Sequence, residues 1–293
     1  MKLDKLSIIT LSLIGLLFFI PIIQVKGYSV GDSYRYIVED ASGEFSYTVD
    51  STTTEGSTEK FRVGNTPVSE SDELEVKVTN KDSSSADFEI YDNSSQLLTS
   101  ASTTSLGFAL GLILYSLYPF ILLDLSSGSV NPIDVDKGVS IGDSWYLAPP
   151  DVNWAGVFNT YNDSDSWSDT YSEWEDNEAE LNAASGARYE DNGATIIFSL
   201  TVIGQYQVFA DDTDLTITHS MSFHYNVNEN NLKGYFMSTS INGDLEGEET
   251  TFSMVVRVKE KGYTRRVGLP FFGVIFSLIA SSAVILAIAK KKK

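Results

Sequence analysis

Between Leu215 and Val227 the chain alternates without a break. Leu215, Ile217, His219, Met221, Phe223, Tyr225 and Val227 form one set; Thr216, Thr218, Ser220, Ser222 and His224 form the other. A period of two puts successive side chains on opposite faces, which a helix cannot do. The segment must therefore be a half-buried antiparallel strand. The same pattern recurs at Phe45, Tyr47 and Val49, at Leu74, Val76 and Val78, and at Phe252, Met254, Val256 and Val258. Turn-forming residues separate such runs: Asp40-Ala41-Ser42-Gly43, Asp191-Asn192-Gly193, Asp211-Asp212, Asn228 to Asn231 and Asn242-Gly243-Asp244. Residues 187–261 thus read as an up-and-down meander.

Two apolar segments sit at the ends. Val267 to Ala289 carries no charge and is followed by Lys290 to Lys293. As a helix it spans roughly 34 Å, enough for a bilayer core of about 30 Å, and the lysines favour the cytoplasmic side. At the other end Lys2 and Lys5 precede an apolar run from Leu6 to Ile23, and Val25-Lys26-Gly27 follows. That is the layout of an export signal. The reading is a signal peptide over 1–27, an extracytoplasmic β-rich domain over 28–262, and a membrane anchor with a basic cytoplasmic tail over 263–293. An uncleaved anchor would give the same orientation.

The exported part holds 39 acids against 11 bases. Such a surface repels phosphate backbones, so nucleic acid is not an expected partner. The chain has no cysteine. Thiol catalysis, thiolate–metal sites and disulfide staples are thereby excluded.

Residues 151–184 carry aromatic residues at helical spacing. Trp154, Val157, Phe158 and Tyr161 form one stripe and Trp167, Tyr171 and Trp174 another, which predicts two amphipathic helices. Residues 105–125 are almost wholly apolar. No Lys or Arg lies nearer than Lys81 and Lys137, and one more crossing would put one lysine set outside. A helix apolar all round must be buried, and the concave face of the sheet is the favoured place. A membrane-dipping or spanning segment and a partner-binding element are the alternatives. The expected fold class is α+β: a curved, half-barrel-like antiparallel sheet packed on that buried helix and two amphipathic helices, plus the transmembrane helix. This layout is similar to half-barrel lipid-carrier proteins. In a carrier, Leu106, Leu110 and Leu114 would line the cavity for an apolar ligand.

The catalytic signals are thin. Nucleophilic chemistry needs a base, and only His219 and His224 are present. They fall on opposite faces of one strand, His219 with the core and His224 with the surface. Asp163 to Asp169 alternates acids but lacks the glycine of a calcium loop, and Asp211, Asp212 and Asp214 form a second acidic turn. Both read as solvated turns. No cofactor or metal is expected, and no enzymatic activity. Asn93-Ser94-Ser95 and Asn162-Asp163-Ser164 are glycosylation sequons, which makes Asn93 and Asn162 candidates for modification.

Gly27-Tyr28-Ser29-Val30-Gly31-Asp32-Ser33-Tyr34 is echoed by Gly138-Val139-Ser140-Ile141-Gly142-Asp143-Ser144-Trp145. Each reads as a turn feeding a strand.

The two ends, with Gly268-Leu269-Pro270-Phe271-Phe272 leading into the last apolar helix, resemble archaeal surface proteins with a signal peptide and a C-terminal sorting or anchor segment. The usual Pro-Gly-Phe is replaced here by Pro270-Phe271-Phe272, and a Thr-rich spacer is absent. The Gly-Asp-aromatic turns and the stretch Asn230 to Tyr235 also resemble exported proteins of Asgard-type archaea. The resemblance implies an origin and a location, and carries no catalytic residue. The function expected is a membrane-anchored cell-surface protein with a structural or adhesive ectodomain; the alternative is an extracytoplasmic binder of lipid or another apolar ligand. The partners expected are the membrane and lipid or surface-layer components.

Overall fold

The computed structural model describes residues 27–49, 52–117, 133–139, 142–163, 165, 167, 169, 171, 180–208, 212–265 and 267. Residues 1–26 of the expected export signal (1–27) and nearly all of the expected anchor (263–293) lie outside these residues. Among the described residues no helix is long and apolar enough to cross a membrane.

The alternating runs form the strands they predict. The first half contains β1 (Ser33–Val49), β2 (Thr52–Thr58), β3 (Lys60–Val63), β4 (Thr66–Ser69), β5 (Glu73–Lys81), β6 (Ser85–Asp92) and β7 (Leu97–Thr104). Helix α1 (Ser105–Ser116), the short strands β8 (Ile133–Asp134) and β9 (Gly138–Val139), and helix α2 (Trp154–Asn162) follow. The meander is β10 (Glu180–Glu190), β11 (Thr195–Val208), β12 (Thr213–Asn226), β13 (Leu232–Leu245) and β14 (Glu248–Glu260).

Ten strands make one antiparallel sheet in the order β10-β11-β12-β13-β14-β1-β5-β6-β7, with β2 paired to β1. Among the described residues the sheet does not close. A smaller sheet runs β4-β3-β9-β8. Among the described residues sheet dominates, so the α+β expectation is corrected to a mostly antiparallel sheet on which helices α1 and α2 pack.

Two expected turns are absent. Asp40 to Gly43 lies inside β1, where a bulge between Val38 and Asp40 shifts the register and the strand runs on. Asn242-Gly243-Asp244 lies inside β13, paired with β12, and the chain reverses later at Glu246-Gly247. In both places the long ladder outweighs turn composition. The expected helical region to residue 184 is also shortened, because β10 begins at Glu180.

One face of the large sheet is core. Phe198, Phe223, Tyr235 and Val258 share a row across β11 to β14, and all are fully buried. Each such side chain contributes about 1.5–3 kcal/mol relative to exposure. Both helices pack on this inner face. Tyr161 of α2 lies 4.8 Å from Phe198, and Phe108 of α1 lies 5.7 Å from Tyr225, centroid to centroid. The helices start on side-chain caps: Thr104 accepts from the Gly107 amide at 3.1 Å and Asn153 from the Gly156 amide at 3.0 Å.

Candidate functional site

The inner face is held by hydroxyls as well as by rings. Tyr225 Oη donates to the Trp145 carbonyl at 2.7 Å, and Tyr28 Oη to the Ala148 carbonyl at 2.9 Å. Tyr36 Oη donates to the Leu232 carbonyl at 3.0 Å. Trp154 Nε1 donates to Asn230 Oδ1 at 2.9 Å, while the Asn230 amide donates to the Pro149 carbonyl at 3.3 Å. The bonds at Trp145, Ala148, Pro149 and Trp154 pin the segment 145–154 across the sheet. Burial pushes the phenols of Tyr225, Tyr36 and Tyr235 well above their ordinary value, so they stay neutral donors. Of the aromatic stripes, Trp154, Val157, Tyr161, Trp167 and Tyr171 are buried in the core and Phe158 is half-buried, while Trp174 lies outside the described residues. Asn230 and Asn231, expected only as turn residues and as part of a sequence resemblance, are fully buried clips between the β12–β13 turn and its neighbours. A polar Asn-Asn pair inside a turn gives no sequence sign of such burial.

The two halves of the internal echo diverge. Gly31 (φ +94°) and Gly142 (φ +83°) both adopt the left-handed conformation that favours glycine. Asp32 then accepts from its own turn, the Ser29 amide at 2.6 Å, and Tyr34 continues into β1. Asp143 instead accepts from the distant Gly64 amide at 2.9 Å, and Trp145 sits in a single 3-10 turn, Ser144–Tyr146. Desolvation raises the Asp143 carboxyl above its ordinary value.

Helix α1 turns Phe108, Ala109, Leu112, Ile113 and Ser116 inward. Leu106 is 54% exposed and Leu114 53%, and Leu110 is half-buried. The leucines expected to line an internal cavity thus lie on the side away from the core. Gly111 explains the orientation: Trp145 packs so close that a Cβ there would meet its ring at 2.7 Å. The helix buries one face, not its whole circumference, and residues 118–125 of the expected apolar helix lie outside the described residues.

His219 is in the core as expected. It is 0% exposed, and Nδ1 meets Thr239 Oγ1 at 2.9 Å. His224 corrects the surface expectation, being only 3% exposed. Its Nδ1 hydrogen-bonds Tyr263 Oη at 2.9 Å, and the chain after β14 folds back over it. Val267 comes down on Gly234, where a Cβ would meet Val267 Cγ2 at 2.5 Å. Arg265 pairs with Glu190 and with Asp191, the latter at 2.6 Å. Tyr263, Thr264, Arg265 and Val267 thus form a strap across the outer face of β10 to β14. Burial lowers both histidines to about 3, helped at His224 by Arg188 and Arg265.

The sequons differ. Asn93 is exposed in the β6–β7 turn. Asn162 is exposed at the end of α2, but its Oδ1 accepts from the Ala187 amide of β10 at 2.9 Å. Among the described residues no group of three or more acids or histidines is placed to hold a metal ion; Asp211 lies outside them.

The sheet ends on β7, whose sequence Leu-Leu-Thr-Ser-Ala-Ser-Thr-Thr has no charge and no proline. Among the described residues, no strand pairs with its far edge. β2 likewise pairs only with β1, and Glu55 is its one charge.

No family model matches the chain. No curated protein matches it either.

Proposed function

We propose that this is a membrane-anchored cell-surface protein whose ectodomain, 28–262, is non-enzymatic and works by structural or adhesive contact. The observation that carries the reading is β7. Natural sheets blunt their edges with lysine, proline or charge, because an open edge templates pairing with another chain. In a domain with 39 acids and 11 bases, an eight-residue Ser/Thr-rich edge with no charge is an adhesive surface. The engagement of both histidines in structural hydrogen bonds supports a non-enzymatic role. The open sheet, with both helices on one face, fits a curved half-barrel-like architecture. The test has two arms. Protease treatment of intact cells releases the ectodomain, and Ser100→Lys or Ser102→Lys abolishes cell-to-cell clumping. A domain protected in unbroken cells, or clumping untouched by both lysines, refutes the reading.

One feature favours a second reading, an extracytoplasmic binder of lipid. Helix α1 carries no charged residue yet leaves Leu106 and Leu114 in solvent. An acyl chain lying along Leu106, Leu110 and Leu114 would cover them. Native mass spectrometry of the full chain detects a retained lipid, and Leu110→Ser with Leu114→Ser loses it.

A further inference from the structure

The register of the ladder decides which groups the free edge of β7 presents. Backbone groups of successive residues in an antiparallel ladder point alternately to the two sides. The Asp82 amide donates to the Ser85 carbonyl, so Ser85 turns its groups toward β5. Ala86, Phe88 and Ile90 therefore turn theirs toward β7, where they face Thr103, Ala101 and Thr99. Ser100 and Ser102 are left with amide and carbonyl directed outward, and both residues are exposed. Among the described residues the Ser100 carbonyl meets only the Thr99 hydroxyl of its own strand, at 3.5 Å. Gly64 of the β3–β4 turn bounds the edge at its start: a Cβ there would meet Thr99 Cβ at 2.8 Å and the Leu98 carbonyl at 3.2 Å. The open stretch runs from Thr99 to Thr104.

That stretch is complementary to itself. With Ala101 set opposite Ala101 of a second copy, a two-fold axis passes between them. Ser100 then faces Ser102 and Ser102 faces Ser100, so the outward amides and carbonyls satisfy each other. On the inner side Thr103 faces Thr99 of the second copy. Thr103 is 2% exposed, and its Oγ1 has no hydrogen-bond partner among the described residues. A buried hydroxyl left unmet costs about 1–3 kcal/mol. The threonines fall at the pairs without backbone bonds, where Cα atoms stand about 4.5 Å apart and side chains are closest. Thr99 of the second copy therefore brings an acceptor to the orphaned hydroxyl. Charge permits the contact as well. The nearest charges in the ladder are Asp87 and Glu89 of β6, three strand spacings from their copies. That is about 14 Å, beyond the screening length of about 8 Å. A foreign strand would need both an uncharged sequence and a hydroxyl opposite Thr103; this chain carries both.

We propose that β7 pairs antiparallel with β7 of a second copy of this chain, in the register that sets Ala101 against Ala101. The inference rests on the adhesive reading above and names its partner. So short a pairing is weak alone, and copies held together on facing surfaces act in concert.

The chain has no cysteine, so a single introduced thiol reports the contact. The full chain in nonionic detergent is oxidised with copper phenanthroline and resolved without reductant. The register puts the two Cα atoms at residue 101 within the roughly 4.4–6.8 Å that a disulfide spans. Ala101→Cys is therefore trapped as a dimer, while Lys77→Cys, at an exposed position of β5, stays monomeric. Adding Ser102→Lys or Ser100→Lys to Ala101→Cys loses the dimer. Mixing the Ala101→Cys, Ser102→Lys chain with an Ala101→Cys, Ser100→Glu chain restores it as the mixed species, because this register sets the opposite charges face to face. Fluorescence of the buried Trp145 shows that each variant is folded. Equal trapping of the two cysteines, or a dimer untouched by either lysine, overturns the proposal. Clumping lost on lysine substitution with no trapped dimer also overturns it, and leaves the adhesive reading with a different protein as partner. A trapped dimer on cells whose clumping ignores both lysines upholds the pairing and removes the adhesive reading.

Discussion

The two buried histidines make the fold acid-sensitive well above the range in which carboxylates titrate. Burial holds both rings near pKa 3, whereas an unfolded histidine titrates near 6.5. The unfolded chain therefore binds the protons. The stability tied to the neutral rings is whole above about pH 6.5 and is lost as pH falls from there toward about 3. At about pH 5 each histidine has cost about 2 kcal/mol, and the pair about 4, a large part of a typical stability of about 5–15 kcal/mol. Asp82, Asp92 and Asp191 have lowered pKa values from their hydrogen bonds and stay ionised at that pH. Urea unfolding of the full chain in detergent, read by fluorescence of the buried Trp145, Trp154 and Trp167, measures the loss between about pH 7.5 and 5. The decisive comparison is His224→Gln. Glutamine can still hydrogen-bond Tyr263 Oη at that position but does not titrate, so the acid loss falls to about half, or about 2 kcal/mol. All carboxyls, Asp143 included, are common to both proteins and cancel. An acid loss in His224→Gln equal to that of the wild type refutes the reasoning.

Three further outcomes follow from the geometry. Tyr225→Phe removes the donor to the Trp145 carbonyl inside the core and costs about 1–3 kcal/mol in the same urea assay at neutral pH. Gly234→Ala drives a methyl group against Val267, lifts the strap, and makes Arg265 a faster site of tryptic cleavage; the overpacking costs about 1–3 kcal/mol if the strap stays. In a glycosylating host, mass spectrometry finds the added mass on Asn93 and loses it with Asn93→Gln, while Asn162→Gln changes nothing because that side chain is already tied to β10.

The difference between what the sequence discloses and what it hides has a physical cause in each case. Period-two alternation is local and strong, so the meander is legible, and so is the place of His219 among Ile217 and Met221. The turns at Asp40–Gly43 and Asn242–Asp244 mislead because turn composition is a local preference, while strand continuity is set by partners. Gly243 pairs with Leu215 and with Thr250, and those ladders carry the strand past three turn-forming residues. His224 misleads for a longer-range reason. Alternation correctly sends it to the outer face, but an outer face is solvent only if nothing returns to cover it. Tyr263, Arg265 and Val267 do return, and no spacing rule links residue 224 to residue 263. Helix α1 fails differently: an uncharged run does not say which side is buried, and the choice is made by Gly111 admitting Trp145. Loosening the strap at Gly234 should uncover His224 and raise its pKa toward the ordinary histidine value, whereas a ring buried by the sheet alone would be left untouched.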